Sequence, residues 1–132
     1  MKPPRFYFAA GLILTTTVVF SQQLKCADFK TGTFKLLDAN APNYFITRND
    51  TLQTETAEKS IISTDFYIRW DDECHYELTL KKIYHRPAGL KMPDKTIRLF
   101  VHIYKVSGDT CWVETRAGTT KYVSKKRMVK IR

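Results

Sequence analysis

Histidine and cysteine are scarce in this chain, three of each, and their spacing excludes the common metal sites. His75, His85 and His102 form no H-x-x-x-H pair, and Cys26, Cys74 and Cys111 form no C-x-x-C pair, so zinc-ligand spacing is missing. There is no glycine-rich phosphate loop and no G-x-S-x-G elbow, which removes the usual nucleotide-binding and serine-hydrolase motifs. Beyond residue 20 no stretch sustains a 3.6-residue apolar period, so amphipathic helices are not expected. Internal repeats and low-complexity segments are absent as well. Acids are in the minority: 22 Lys and Arg against 13 Asp and Glu give a net charge of +9 over 132 residues.

What is present begins with a tripartite N-terminus. Lys2 and Arg5 precede an uncharged apolar run from Phe6 to Phe20, and Val19-Phe20-Ser21 offers small or branched groups around a cut. That order is the order of a secretory signal peptide. The run is short of the roughly 20 residues that a membrane span needs, and Thr15, Thr16 and Thr17 weaken it further. A buried N-terminal helix or an uncleaved anchor is the alternative. Lys25 stands before Cys26, where a lipoprotein cut requires a small residue. The expectation is a signal peptide over residues 1–21 and a mature domain over 22–132, exported to the periplasm or beyond, with no transmembrane anchor after cleavage.

Removal of 21 of the 132 residues leaves 111, enough for one domain with one core. The charge is uneven along it: residues 22–74 carry six basic and nine acidic groups, residues 75–132 fourteen basic and four acidic. A basic face toward polyanions, or simply a solvated face, would produce this split. Three cysteines allow only one disulfide in an oxidising compartment, so the core does most of the stabilising.

Short runs of β-branched and aromatic residues, separated by turn chemistry, predict eight strands. They cover residues 31–37, 44–48, 52–56, 65–70, 74–81, 97–106, 111–116 and 121–131, the last of which could equally begin a frayed tail at Ser124. Asn49-Asp50 is expected as a two-residue hairpin connection. Phe66, Ile68 and Trp70 share one face, as do Cys74, Tyr76, Leu78 and Leu80. Short turns in succession predict an antiparallel meander, all-β, closing into a small lipocalin-like up-and-down barrel; a two-sheet sandwich is the alternative. In such a meander Cys26, Cys74 and Cys111 all fall at one end, which leaves all three pairings open. The longer connections fall at the other end, and a ligand mouth is expected there, under the loop at residues 85–95.

Three segments carry a resemblance: the stretch from Cys26 to Phe34, the stretch from Arg48 to Glu55, and Trp70 to Leu78. They resemble a group of small exported all-β proteins of Gram-negative bacteria, without an established biochemical function. Some proteins of this kind carry the label DNA topoisomerase IV, a large enzyme with an ATP site and a tyrosine nucleophile that 111 residues cannot house. The resemblance implies a lipocalin-like barrel and places cysteines at Cys26 and Cys74, which favours that pair as the disulfide and leaves Cys111 a buried thiol.

Candidate chemistry is thin. His75 adjoins Cys74, but neighbours on a strand point to opposite faces, which argues against a thiolate–imidazole pair. Asp71, Asp72 and Glu73 could attract calcium, yet they lack the oxygen-rich repeat and the glycine of a calcium loop; a solvated turn fits better. Asn49-Asp50-Thr51 matches a glycosylation sequon. Phe66, Trp70 and Tyr76, with His85 and Arg86 of the long loop, are the candidate ligand-binding residues, although the interior of an eight-stranded barrel is often just filled by such side chains. Lys121, Lys125, Lys126 and Arg127 are the candidate basic surface. No catalytic residue, metal or cofactor is expected, and export makes nucleic acid an improbable partner. The expected function is non-enzymatic: binding of a small apolar ligand or of an anionic envelope component, with a structural or interaction subunit of an envelope assembly as the alternative.

Overall fold

The alternation read from the sequence becomes strands almost residue for residue. The computed structural model describes residues 25–38, 43–58, 60–85, 88–89, 96–118 and 120–131. The expected signal segment, 1–21, lies outside the described residues, as does Arg86. A short 3-10 helix, Cys26–Phe29, leads into β1 (Gly32–Leu36), β2 (Tyr44–Arg48), β3 (Leu52–Ala57), β4 (Ser63–Trp70), β5 (His75–Tyr84), β6 (Arg98–Ser107), β7 (Thr110–Ala117) and β8 (Val123–Lys130). Each strand pairs antiparallel with the next, and β8 returns to β1, so the sheet is a closed up-and-down barrel. The basic C-terminal segment is a strand rather than a tail: Met128, Val129 and Lys130 pair with Leu36, Lys35 and Phe34 to close the ring. Closure leaves no long unpaired edge.

Two irregularities reset the alternation. Phe66 pairs with Leu80 while Asp65 pairs with Lys82, so β5 carries an extra residue at Lys81. Ile103 pairs with Val113 while Lys105 pairs with Trp112, so β6 carries an extra residue at Tyr104. A bulge of this kind opposes two residues to one and re-aims the side chains beyond it. It turns Ile83 and Val106 toward the interior, where strict alternation from Leu80 and Ile103 would have sent lysines.

The meander gives the barrel two unlike ends. The lead-in helix, the β2–β3, β4–β5 and β6–β7 turns and the end of β8 lie at one end; the four longer connections lie at the other. Cys26 and Cys74 are joined by a disulfide across the first end, and Cys111 is a buried free thiol. Phe29, 1 % exposed, plugs this end and stacks on Phe34 with ring centroids 5.9 Å apart. Ile68, Tyr76, Ile103, Cys111 and Met128 complete the packing of the closed half. The β2–β3 connection differs from the expected two-residue turn: Arg48 pairs with Gln53, and the Asn49 side chain accepts from the backbone N–H of Thr51 and Leu52 at 3.0 and 2.9 Å. An asparagine that can satisfy two backbone donors favours the longer loop.

Candidate functional site

Above the packed half the barrel is hollow. One cavity of about 290 Å³ is bordered by Leu36, Ile46, Leu78, Leu99, Val101, Val113 and Met128 on its apolar side. A second, of about 340 Å³, lies toward the open end between Phe66, Leu80, Ile83 and Ile97. The two adjoin, sharing Tyr44, Glu55, Leu78 and Leu99. Ile83 and Ile97 flank the β5–β6 connection, so the second cavity lies at the end of the barrel where the sequence expects the mouth.

The other wall is a chain of polar side chains from β2, β3 and β5. Arg48, only 4 % exposed, donates from Nη1 to the carbonyl of Phe29 at 2.9 Å, from Nη2 to Tyr76 Oη, and from Nε to Gln53 Oε1 at 2.7 Å. Its guanidinium lies over the rings of Tyr76 (4.6 Å) and Phe34 (5.1 Å). Gln53, with its oxygen held, donates from Nε2 to Glu55 Oε1 at 2.7 Å, and Tyr44 Oη donates to Glu55 Oε2. Burial and the neighbouring Glu55 push the Tyr44 hydroxyl well above the usual phenol range, so it remains a donor. The relay thus fixes which atoms are acceptors before any guest arrives, the condition under which polar groups in a low-dielectric interior act strongly. Nearer the open end Lys126 pairs with Asp38, and both border the first cavity.

The structure divides the expected ligand-binding residues. Phe66 borders the second cavity and Tyr76 the floor of the first. Trp70 packs against Tyr76 at 4.5 Å in the closed end, with the Lys30 ammonium 5.4 Å from its ring centroid. His85 is exposed and takes a left-handed backbone, φ 52°, turning the chain out of β5. Arg86 lies outside the described residues. The structure brings Lys125, Lys126 and Arg127 of the expected basic surface together on an outer groove of about 310 Å³, with Asp38, Tyr104 and Trp112. Lys126 also borders the first cavity. Lys121 is exposed before β8 begins.

Elsewhere the structure assigns local roles. Asp72 caps the β4–β5 turn, accepting from the N–H of Cys74 and of His75 at 2.8 Å and from His75 Nδ1 at 2.9 Å; these bonds hold its carboxyl below the usual range. Cys74 is in the disulfide and therefore offers no thiolate to His75. Burial pushes the Cys111 thiol up to about 12, against the smaller opposing effect of the Arg48 charge, far from the depressed values of reactive cysteines. Among the described residues no three His, Cys, Asp or Glu are grouped to hold a metal, and no helix is long and apolar enough to cross a membrane.

Arg48, Gln53 and Glu55 were not singled out by the sequence. Their signal was register parity. An antiparallel turn with an even number of loop residues after Arg48 puts Gln53 and Glu55 on the same face as Tyr44, Ile46 and Arg48. No family model, curated protein or solved structure matches the chain.

Proposed function

We propose that the protein is a non-enzymatic, exported envelope protein whose barrel interior binds a small, mainly apolar ligand. The observation that carries this is the pair of adjoining cavities of about 290 and 340 Å³ in the open half. Closed, mostly apolar pockets with a few fixed polar groups are the usual form of small-molecule sites. Export is supported by the signal-like first 21 residues and by a disulfide, which persists in oxidising compartments.

Native mass spectrometry of the protein purified from its own envelope under non-reducing conditions tests this. A reproducible small-molecule adduct is expected on the disulfide-bonded chain. It should be lost or much reduced in Leu99→Trp, because Leu99 borders both cavities and an indole there obstructs their junction. A bare chain, or an adduct that persists undiminished in a folded Leu99→Trp variant, rejects the interior as the site.

A second reading has its own observation. The outer groove combines Lys125 and Arg127 with the rings of Tyr104 and Trp112, while the Lys105 and Lys125 ammonium groups lie 4.4 and 5.6 Å from the Trp112 and Tyr104 ring centroids. Exposed cations beside aromatic faces suit an anionic envelope component, and such binding weakens steeply as salt rises.

A further inference from the structure

The polar wall of the cavity limits what kind of guest it accepts. Among the described residues four charged side chains border the first cavity, and they balance: Arg48 and Lys126 against Glu55 and Asp38. Lys126 and Asp38 are paired with each other, and Arg48 is linked to Glu55 through the Gln53 amide. A guest bringing its own charge would upset this balance beside Arg48, which is 4 % exposed, and would lose hydration without gaining a partner of opposite charge. The charges of the described lining residues are therefore matched before a guest arrives.

Where the two cavities meet, the open hydrogen-bonding capacity among the described residues is of one kind. Arg48 is 4 % exposed, covered by the Phe34 and Tyr76 rings, and uses all three of its nitrogens on Gln53, Phe29 and Tyr76. Glu55 is different. It is only partly buried and borders both cavities, with the apolar side chains of Leu78 and Leu99 bordering the same two. Tyr44 and Gln53 each supply one donor to its two oxygens, whereas an ionised carboxylate offers about four acceptor sites. Both neighbouring donors are committed to Glu55, so what remains open at the junction is acceptor capacity.

We infer that the guest carries an uncharged hydrogen-bond donor, a hydroxyl or an amide N–H, which seats on Glu55 while its apolar body lies along Leu78 and Leu99. The juxtaposition of a tethered carboxylate and apolar walls within a charge-balanced cavity is what assigns this class. It rests on the proposal that the interior binds a ligand, and adds the polarity and charge of that ligand's polar end. Carboxylates are rejected because they bring a second negative charge against Glu55 and no proton to donate. Alkylammonium ions are rejected because Arg48 and Lys126 already supply the balancing positive charge.

The test is displacement of N-phenylnaphthylamine fluorescence from the disulfide-bonded protein by n-octanol, octanoate and n-octylamine at neutral pH. The probe should bind. Octanol should displace it at a concentration about tenfold lower than either charged analogue, in keeping with how strongly sites built around one hydrogen bond discriminate. In Glu55→Gln the amide keeps the shape but removes the negative charge, and octanoate should recover to within a fewfold of octanol. Tyr44→Phe removes a donor from Glu55 without changing the charge balance, so it should keep the preference for the alcohol. No probe binding would overturn both the hollow-barrel function and this inference. Probe binding with octanoate or octylamine as the best competitor, or with all three equal, would overturn this inference alone and leave interior binding standing.

Discussion

Arg48 shows how one side chain can organise a barrel. It satisfies the carbonyl of Phe29 in the lead-in helix, the hydroxyl of Tyr76 on β5 and the amide of Gln53 on β3, so three elements meet at one guanidinium. Removing it strands each of those partners in the interior. Arg48→Met keeps much of the length and packing but none of the bonds, and should destabilise the protein by about 3 kcal/mol, the cost of buried polar groups left unpaired. A fall in the urea midpoint with an unchanged slope is the expected record; a loss under about 1 kcal/mol would mean that the relay contributes little. Cys111 sets a second expectation. In the unfolded chain its thiol ionises near 9.0, whereas burial in the folded barrel pushes it up to about 12. The unfolded state loses this proton first, so the contribution is whole below about pH 9 and declines as pH rises toward 12. The limiting slope is about 1.4 kcal/mol per pH unit. Tyr44 and Tyr76, both raised mainly by burial, act in the same direction above pH 10. The urea midpoint should drop between about pH 9 and 11, and less steeply in Cys111→Ala; a flat profile would contradict the burial of all three groups.

At the scale of elements, the lead-in helix and its disulfide act together as a plug. Four residues of 3-10 helix are too short to persist alone, but Cys26 fixes one end to the β4–β5 turn and Phe29 fills the core beneath. The bridge spans 48 residues, which in the chain-entropy account corresponds to about 4 kcal/mol. A Cys26→Ser, Cys74→Ser double variant should lose about that much in urea, while still binding the naphthylamine probe in the absence of denaturant, because the cavities lie in the opposite half. Loss of probe binding in a folded double variant would show that the two halves are not independent. The bulges at Lys81 and Tyr104 are the other decisive elements. They bring Ile83 to the second cavity and Val106 into the closed end, and they keep Lys82 and Lys105 outside, each beside an aromatic ring.

For the whole molecule, an eight-stranded ring is near the size at which side chains alone can fill the interior. Whether it is solid or hollow depends on where the large residues fall along the axis. Here Phe29, Phe34, Trp70, Tyr76 and Met128 concentrate at the disulfide end, and in the open half Phe66, leucine, isoleucine and valine side chains border cavities with a polar wall. The strand count, the meander, the shared face of Phe66, Ile68 and Trp70, and the two-ended arrangement were all legible, because period-two alternation and turn residues are local signals. The polar relay was not. Tyr44 to Arg48 and Leu52 to Ala57 look like an exposed hairpin by composition, and only the pairing of Arg48 with Gln53 and the ring closure turn that face inward. That Lys126 also borders the first cavity was equally hidden, since closely spaced basic residues look like outer surface alone until the ring closes.

By itself, then, the sequence determined the all-β class, the eight strands, their order and the end at which each cysteine lies. These arise from alternation and short connections, properties that neighbouring residues decide among themselves. The closed barrel that the meander implies and the Cys26–Cys74 bridge that the resemblance favours are both present, whereas tertiary structure alone decided that β5 and β6 bulge and that Arg48, Gln53 and Glu55 form the wall of a cavity. Each of these depends on distances between residues far apart in the chain, which packing sets and no local pattern encodes.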